Sequence, residues 1–294
     1  MDVRTALKQG IAQLRGAAVP SFTLAAELLL LHVLARNRVW LYGHPEEEIS
    51  PSEAQRFLEM LARRAAGEPT QYITGTQEFW GLAFEVTPEV LIPRPETEHV
   101  VEVALHRLGP QATYAERELA AAGNGLRILD VGTGSGCIAV ALAKELPGAR
   151  LFATDVSAAA LAVARRNAAR HGVLERTTFL ETSLLTGSVG GYDLIVSNPP
   201  YIGRKEASTL MREVRDHEPE LALYGGEEGY ELTAGLIAEA AHCVATGGFL
   251  VLELGYNGLP VLRSLFETPA WANVAVTNDL SGIPRVIAAE RTSV

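Results

Sequence analysis

The chain has 294 residues, 48% of them hydrophobic, and a formal net charge of -10 at pH 7. This composition is sufficient for a buried core and argues against disorder. The acidic balance argues against non-specific binding to nucleic acid, which depends on clustered Lys and Arg. The charge therefore favours a protein or a small molecule as the substrate.

The two cysteines, Cys137 and Cys243, form no Cys-x-x-Cys pair, and no Cys/His cluster has metal-ligand spacing. We therefore expect free thiols and no metal site. The most apolar run, Phe22 to Ala35, is interrupted by charge and is shorter than the roughly 20 residues that a bilayer requires. Because the N-terminus also lacks a signal-peptide pattern, we expect a cytoplasmic protein without membrane association.

Residues 1–75 are predicted to form a small helical domain. The first helix covers Asp2 to Leu14. A second begins with Ser21 as its N-cap, and its apolar residues form one stripe in an almost wholly apolar helix: Leu24, Leu28, Leu31 and Ala35. Ser50-Pro51-Ser52-Glu53 has the sequence of a capping box with proline at the first helical position. Gly67-Glu68-Pro69 ends that helix.

Residues 76–95 are predicted to form a β-hairpin and a linker. Phe79 to Val86 is typical of two short extended segments around Gly81. In Leu91-Ile92-Pro93-Arg94-Pro95-Glu96, two prolines within three residues preclude a helix and stiffen the chain. A helix follows, with apolar residues Val100, Val101, Ala104, Leu105 and Leu108. Ala112 to Asn124 is predicted to be a variable surface connection.

From residue 126 onward, strands and helices alternate. The predicted strands are Leu126–Val131, Ala149–Thr154, Thr177–Leu180, Tyr192–Ser197 and Phe249–Leu254, with two weaker ones at Val274–Thr277 and Arg285–Ala289. The predicted helices are Ile138–Leu146, Ser157–His171 and Tyr230–Val244, the last with a stripe of Leu232, Leu236, Ala240 and Val244. This alternation predicts a parallel sheet covered by helices on both faces.

A glycine-rich segment, Asp130-Val131-Gly132-Thr133-Gly134-Ser135-Gly136, follows the first of these strands. Glycines there permit positive φ and close approach of a ligand at the carboxyl ends of the strands. Asp155, at the end of the second strand, can accept both hydroxyl protons of a ribose. A dinucleotide-binding loop has its third glycine at position six, where this chain has Cys137.

S-adenosylmethionine carries no phosphate, so its loop need not cradle one, and Asp130 can instead face the ammonium group of that ligand. We favour a site for this methyl donor over a dinucleotide site or a turn that binds nothing.

The predicted strand Tyr192–Ser197 runs directly into Asn198-Pro199-Pro200-Tyr201. An isolated Asn-Pro is common in turns, but the full tetrapeptide after a nucleotide loop indicates methylation of a planar amide or amine nitrogen. The side-chain oxygen of Asn198 and the carbonyl of Pro199 can each accept one N–H proton, which fixes the nitrogen and stabilises its developing positive charge. The prolines stiffen the backbone, and Tyr201 offers a flat face to the substrate.

Three functions are compatible with these patterns. The chain can be a protein-glutamine methyltransferase, an adenine-specific DNA or RNA methyltransferase, or a non-catalytic module that keeps the fold. The tetrapeptide does not separate glutamine from adenine, because both carry planar NH2 groups. The acidic charge favours the protein substrate.

The chain resembles the release-factor glutamine methyltransferases, the HemK/PrmC family, over most of its length. The residues that carry the resemblance are Gly67-Glu68-Pro69 with Gly75, Phe79-Trp80-Gly81, Ile92-Pro93-Arg94-Pro95-Glu96-Thr97-Glu98, Asp130 to Gly136, Asn198 to Ile202, and His217-Glu218-Pro219 with Gly225-Gly226. The Pro-Arg-Pro-Glu-Thr stretch is the most specific, since adenine methyltransferases share Asn-Pro-Pro-Tyr but usually lack that segment.

This resemblance implies an α/β class I S-adenosylmethionine-dependent methyltransferase fold, with a seven-stranded, mostly parallel sheet and a small helical N-terminal domain. Residues 1–75 would dock the release factor, residues 76–95 would form the β-hairpin and linker, and residues 96–294 would be the catalytic domain. The implied reaction methylates the glutamine of the Gly-Gly-Gln motif of class 1 release factors and leaves S-adenosylhomocysteine. We expect a monomer without stable nucleic-acid binding.

The resemblance also implies the site residues. Those expected to contact the methyl donor are Gly132, Thr133, Gly134, Ser135, Gly136, Asp155 and Asn198. Those expected to hold the glutamine amide are Asn198, Pro199, Pro200 and Tyr201, of which Asn198 and Pro199 are the catalytic pair. The family often has an acidic and a bulky apolar residue after the third strand, but this chain has Thr182-Ser183-Leu184. Ser183 is the positional prediction for the adenine contact, with Leu184 as an apolar wall.

Two other segments have two interpretations each, and a third residue has one. Arg94 and Glu96 either line the substrate channel or hold the linker in place. His217-Glu218-Pro219 either closes over the site or forms a plain loop. Glu253 ends a strand near the expected crevice, and we expect it to be structural.

Overall fold

The computed structural model describes residues 1–108, 125–187 and 190–293. The surface connection predicted over Ala112–Asn124 lies outside the described residues. Within the described ranges, no helix is both long enough and apolar enough to cross a membrane.

The chain divides into two compact units. The first contains Met1–Thr76 together with Leu210–His217, and the second contains Gln77–Thr209 together with Glu218–Val294. No periodicity in the sequence predicts that residues 210–217 belong with the N-terminal segment. The domain boundaries at residues 75 and 95 stay a prediction.

The first unit is built from helices around its own apolar core. These helices are α1 (Val3–Gly16), α2 (Phe22–Leu34), α3 (Arg38–Gly43), α4 (Pro51–Ala65), α5 (Thr70–Thr74) and α9 (Arg212–His217). The capping box predicted at Ser50 is present, because Ser50 and Glu53 each accept from the other's backbone N–H. Arg64 and Glu213 form an ion pair within this unit.

The second helix differs from its prediction in two respects. Ser21 precedes α2 but has a φ of 49°, and its side chain makes no capping hydrogen bond. The face that contains Leu24 and Leu28 is not the buried one, since these side chains are 43% and 38% exposed. The buried residues are Ala25, Ala26, Glu27, Leu29, Leu30 and Val33. A helix that is apolar on almost every face gives no periodic signal for the face it buries.

The predicted hairpin is formed by β1 (Thr76–Phe79) and β2 (Leu82–Glu85), and its residues after Thr76 belong to the second unit. Trp80 and Gly81 connect the strands, both with positive φ, as a two-residue hairpin turn requires. The expectation that Leu91–Glu96 is free of helix is wrong at its end, because a 3-10 turn covers Pro95–Thr97. Proline is tolerated at the first position of a helical turn, where no N–H is needed.

The seven-stranded, mostly parallel α/β sheet is confirmed. Its strands are β3 (Arg127–Val131), β4 (Arg150–Asp155), β5 (Thr177–Glu181), β6 (Tyr192–Ser197), β9 (Val244–Glu253), β10 (Trp271–Asn278) and β11 (Pro284–Arg291). They lie in the order β10-β11-β9-β6-β3-β4-β5. The pairs from β9 to β5 are parallel, whereas β11 is antiparallel to both β9 and β10. The carboxyl ends of β3, β4, β5 and β6 therefore share one edge.

Two apolar cores cover the two faces of this sheet. One contains side chains of α6 (Glu98–Leu108), α7 (Cys137–Glu145) and α8 (Ala158–Arg170). The other contains side chains of α11 (Glu231–Cys243) and α12 (Leu259–Ser264), and a short helix, α10 (Glu220–Leu223), precedes α11. Leu236 and Ala240 of the predicted α11 stripe are buried, but Leu232 is 39% exposed. Leu232 lines the cavity described below, which accounts for its exposure.

Candidate active site

A cavity of about 220 Å³ lies at the carboxyl ends of the parallel strands. It is lined both by residues predicted to contact the methyl donor and by residues predicted to hold the substrate amide. The predicted residues that line it are Gly132, Thr133, Gly134, Ser135, Asp155, Ser183, Asn198, Pro199 and Pro200. Gly136 and Tyr201 are not among its lining residues. The glycine-rich loop and the Asn-Pro-Pro segment thus face one common space.

The glycine-rich loop owes its shape to backbone hydrogen bonds and to positive φ. The N–H of Thr133 donates to the carbonyl of Thr154 at 2.8 Å, and the N–H of Gly136 donates to the carbonyl of Thr133 at 2.8 Å. Gly136 has a φ of 81°, and a Cβ there would lie 3.1 Å from the Cβ of Ala164. Glycine is therefore needed at this position both for the backbone conformation and for the packing against α8.

Asp155 ends β4 and points toward the loop. Its Oδ2 accepts from the N–H of Gly134 at 2.9 Å, and its Oδ1 accepts from the N–H of Ser157 at 2.9 Å. A carboxylate has about four acceptor sites, so each oxygen retains capacity for a further donor. The side chain is therefore fixed by the fold and can still accept hydroxyl protons.

Asp130 lies beneath the loop and is fully buried. Its Oδ2 accepts from the hydroxyl of Thr133 at 2.7 Å and from the N–H of Ala139 at 3.2 Å. Burial raises the pKa of this carboxyl to about 7, although these two donors oppose the shift. Its Oδ1 has no hydrogen-bond partner among the described residues. Contact of Asp130 with an ammonium group stays a prediction.

Asn167 supports the loop from behind and was not predicted. Its Nδ2 donates to the carbonyl of Ser135 and to the carbonyl of Glu85, both at 2.9 Å. Its Oδ1 accepts from the N–H of Glu85 at 2.7 Å. This fully buried side chain thus ties the loop to the β-hairpin, whose strand β2 ends at Glu85.

Ser183 and Leu184 follow β5, and both line the cavity. These are the residues predicted to contact the adenine of the methyl donor. Ser183 is exposed, and Leu184 is only partly buried, with a φ of 49°. These two side chains provide one polar and one apolar surface on the same wall.

Asn198 is held by a residue distant in sequence. Its Nδ2 donates to the hydroxyl of Thr97 at 3.0 Å. One residue earlier, the hydroxyl of Ser197 donates to the carbonyl of Val131 at 2.7 Å, which ties the end of β6 to the end of β3. Thr97 itself lines the cavity. Thr97 belongs to the Pro-Arg-Pro-Glu-Thr stretch, but no role was predicted for it, since its link to Asn198 spans 101 positions.

Two short strands support the Pro-Pro-Tyr backbone. β7 (Ile202–Gly203) pairs in parallel with β8 (Tyr224–Gly226). Gly225 packs so closely that a Cβ would lie 2.2 Å from the carbonyl oxygen of Pro200 and 2.3 Å from that of Gly229. Backbone atoms cannot yield to such a contact, so only glycine fits at Gly225. The glycine pair noted in the sequence is thus part of the support for the tetrapeptide.

Tyr201 turns away from the cavity. Its hydroxyl donates to Oε1 of Glu253 at 3.5 Å. A Cβ at Gly255 would lie 2.9 Å from the Cδ2 of Tyr201, so that glycine lets the ring pack closely. Burial raises the pKa of the Tyr201 hydroxyl. A flat face of Tyr201 toward a substrate stays a prediction, and its observed partner is Glu253.

Arg94 and Glu218 form an ion pair of 2.5 Å, in which the Glu218 side chain is 1% exposed. Arg94 also lines the cavity, as does Pro219, which follows Glu218. The two interpretations of Arg94 are therefore compatible, because one side chain both reaches the cavity and holds the linker against residues 218–219.

Comparison with known proteins identifies the family. Residues 5–75 match the family described as PrmC N-terminal domain, and residues 117–220 match the family described as Methyltransferase small domain. The chain is 42% identical over 289 residues to the release factor glutamine methyltransferase of Koribacter versatilis, covering 98% of both chains. It is 44% identical over 284 residues to that of Chlorobaculum tepidum, covering 95% of this chain and 94% of the relative.

Solved structures agree with the fold. The hMettl16 catalytic domain in complex with the MAT2A 3'UTR hairpin 6 aligns with a TM-score of 0.55 at 18% identity, over 79% of this chain and 82% of the other. The human methyltransferase 10 domain containing protein aligns with a TM-score of 0.51 at 19% identity, over 80% of this chain and 97% of the other. These likenesses establish the methyltransferase fold, and the sequence relatives establish the family. The chain belongs to the release factor glutamine methyltransferases.

Proposed function

We propose that this chain transfers a methyl group from S-adenosylmethionine to the side-chain amide nitrogen of the glutamine in the Gly-Gly-Gln motif of class 1 peptide-chain release factors. The observation that carries the proposal is the shared cavity, in which the glycine-rich loop and Asn198 face the same space. Membership in the family supplies the substrate class.

The residues of the loop fit the methyl donor. Gly132 and Gly134 have positive φ and no side chains, so a ligand can approach the backbone closely. Asp155 is held by two backbone N–H groups and has acceptor capacity left for the hydroxyls of a ribose. Ser183 and Leu184 would flank the adenine. When bound, the donor supplies an electrophilic methyl group on a sulfonium.

Asn198 and Pro199 act on the acceptor nitrogen. The Oδ1 of Asn198 and the carbonyl of Pro199 each accept one N–H proton of the glutamine amide, and this orients the nitrogen lone pair toward the methyl group. Positive charge would develop on this nitrogen during methyl transfer, and both acceptors would stabilise it. One amide proton leaves after transfer, so no strong base is required beforehand. Pro200 and Tyr201 complete the rigid segment.

We also propose that the protein acts as a cytoplasmic monomer without stable nucleic-acid binding. A net charge of -10 opposes the counterion release that gives non-specific affinity for phosphates. The protein substrate would instead be recognised through shape complementarity and apolar contacts.

The N-terminal unit provides a surface for such contacts. Leu24 and Leu28 lie one helical turn apart on α2 and are 43% and 38% exposed. Val39 and Tyr42 of α3 are 84% and 61% exposed. The release factor is the proposed occupant, because the relatives that share this unit are named for it.

A transfer assay with labelled donor tests the function. Purified protein is incubated with saturating S-adenosylmethionine and, in parallel, an intact release factor, duplex DNA or RNA. We expect label in the release factor alone. Label in nucleic acid would support the adenine alternative instead, and donor binding without transfer to any substrate would support a non-catalytic module.

The docking surface has its own test. Leu24→Asp combined with Leu28→Asp should raise KM for the release factor about tenfold, the effect of losing roughly 1.4 kcal/mol at an interface. Leu280→Asp is the control, since Leu280 is fully exposed in the second unit. An unchanged KM in the double variant would place docking elsewhere.

A further inference from the structure

Arg94 is the only cationic residue among the described residues that line the cavity. The other charged lining residues are Glu89 and Asp155. Arg94 lies in the linker before Thr97, and the N–H of Thr97 donates to the carbonyl of Arg94 at 3.1 Å. The hydroxyl of Thr97 accepts from Asn198 Nδ2 at 3.0 Å. The cation therefore belongs to the end of the cavity at which Asn198 lies.

The guanidinium of Arg94 is only partly used by the protein. Its Nη2 donates to Oε1 of Glu218 at 2.5 Å, and the Glu218 side chain is 1% exposed. A guanidinium has several N–H donors in a fixed planar arrangement. Among the described residues, the side chain of Arg94 makes no other hydrogen bond. Glu218 thus fixes the position of the guanidinium, and the remaining donors are available to a ligand in the cavity.

S-adenosylmethionine carries a single anionic group. At neutral pH its amino-acid end has a carboxylate and an ammonium, and its sulfur is a cation. A carboxylate enclosed in a cavity is costly unless a cation or several N–H groups pair with it. The amino-acid end is attached to the sulfonium, and methyl transfer requires the sulfonium to lie beside Asn198. The carboxylate therefore needs a partner at this end of the cavity.

The glycine-rich loop is poorly suited to be that partner. Several of its backbone N–H groups already donate within the protein, namely those of Thr133, Gly134 and Gly136. The N-terminus of α7 would otherwise attract an anion. It already lies against Asp130, whose Oδ2 accepts from the N–H of Ala139 at 3.2 Å. The guanidinium of Arg94 is therefore the best-matched partner for the carboxylate of the donor.

We propose that Arg94 binds the carboxylate of the methyl donor, and that Glu218 holds the guanidinium in place for this contact. This inference rests on the donor site of the proposed function. A guanidinium and a carboxylate match each other for two parallel hydrogen bonds, which an ammonium group cannot form. Binding at this end fixes the sulfonium relative to Asn198. The linker that supports Asn198 through Thr97 thereby also selects a donor with an amino-acid end.

Two ligands that differ in a single group test this contact. S-adenosylhomocysteine has the carboxylate, and its decarboxylated analogue lacks it but keeps the ammonium, the ribose and the adenine. In isothermal titration, Arg94→Met should raise the Kd of S-adenosylhomocysteine at least about tenfold, as for a lost hydrogen bond to a charged group. The Kd of the decarboxylated analogue should stay within about threefold of its original value. Arg94→Lys keeps the charge without the paired geometry and should be intermediate.

Arg166→Met is the matched control. Arg166 forms an ion pair with Glu85 at 2.7 Å and is not among the residues that line the cavity. Because exposed ion pairs contribute little, both Kd values should stay within about threefold in this variant. If Arg94→Met does not fold, Arg94→Gln decides, since its amide can still donate to Glu218.

The ratio of the two Kd values separates ligand binding from a structural role. An Arg94→Met variant whose Kd for S-adenosylhomocysteine is unchanged, or whose two Kd values rise equally, would overturn the inference. An unchanged Kd together with a higher KM for the release factor would assign Arg94 to the protein substrate. An original protein that binds S-adenosylhomocysteine through Arg94 but methylates no release factor would instead contradict the proposed function.

Discussion

The two sides of the cavity are constructed differently. On the donor side, residues 132–136 form a contiguous loop whose shape comes from backbone hydrogen bonds and positive φ. On the acceptor side, Asn198 depends on Thr97, Tyr201 contacts Glu253, and the Pro200 backbone rests on Gly225. The donor side is a local motif, whereas the acceptor side is assembled from four separated segments.

This difference indicates where specificity resides. A contiguous loop keeps its geometry in any protein that keeps the strand and helix around it, so it suits a donor common to many enzymes. An acceptor assembled from distant segments changes whenever one of those segments changes. We therefore expect substitutions on the acceptor side to impair transfer and those on the donor side to impair donor binding.

The largest effect is expected at Asn198. Asn198→Ala removes the acceptor proposed to act on developing charge, and the loss of one such group costs about 10²–10³ in kcat. Single-turnover transfer to a release factor at saturating donor measures this loss. An Asn198→Ala variant with more than a tenth of the original rate would show that Asn198 does not hold the reacting nitrogen.

The next effect is expected at Gly225, which touches no reacting group. In Gly225→Ala the new Cβ would meet the Pro200 carbonyl oxygen at 2.2 Å and displace the tetrapeptide. Displacements of about 1 Å can cost about 10²-fold, so kcat should fall while donor affinity is retained. Gly43→Ala is the control, because nothing lies within 4 Å of its Cβ position. If both variants retain full activity, the glycine support is not required.

A smaller and different effect is expected at Asp155. Asp155→Ala removes the proposed ribose acceptor and the partner of the Gly134 N–H, so donor Kd should rise at least about tenfold, as for a lost hydrogen bond to a charged group. Asp155→Asn keeps one acceptor oxygen and should be milder. Isothermal titration with the donor measures both. A loss of kcat at saturating donor, with Kd unchanged, would contradict the division of roles between the two sides.

The smallest effect concerns stability. Burial raises the pKa of Asp130 and of Glu253 to about 7, so the folded protein binds these protons more tightly than the unfolded chain. Their contribution is fully present below pH 4 and is lost as the pH rises to 7. Glu253→Gln removes one such group, and its unfolding free energy in urea should depend less steeply on pH from 4.5 to 7 than that of the original protein. An equal pH dependence of the unfolding free energy in both proteins would contradict the raised pKa of Glu253.

Much of the fold follows from local signals. The capping box at Ser50 and the strands from residue 126 onward are in place because caps and alternation depend on residues a few positions apart. The stripe predicted on α2 is not its buried face, for the opposite reason. Leu24 and Leu28 are as apolar as the side chains that pack inward, so only the tertiary arrangement selects the face.

The site residues also divide into those with local sequence signals and those without. The loop at Gly132–Gly136 and the tetrapeptide at Asn198 are contiguous, and the sequence indicates them directly. Thr97, Asn167 and Glu253 owe their roles to partners far away in the chain, for example the 101 positions between Thr97 and Asn198. A buried polar residue has no short-range pattern, although Glu253 at the end of a strand near the crevice was a signal that such a residue has a partner.

The most direct test of the central claim is the position of the methyl group. An intact class 1 release factor is treated with the protein and S-adenosylmethionine, digested and sequenced by tandem mass spectrometry, beside a reaction with Asn198→Ala. We expect one methyl group on the side-chain nitrogen of the Gly-Gly-Gln glutamine, formed by the original protein and nearly absent with the variant. A methyl group on another residue, or equal methylation by both proteins, would contradict it.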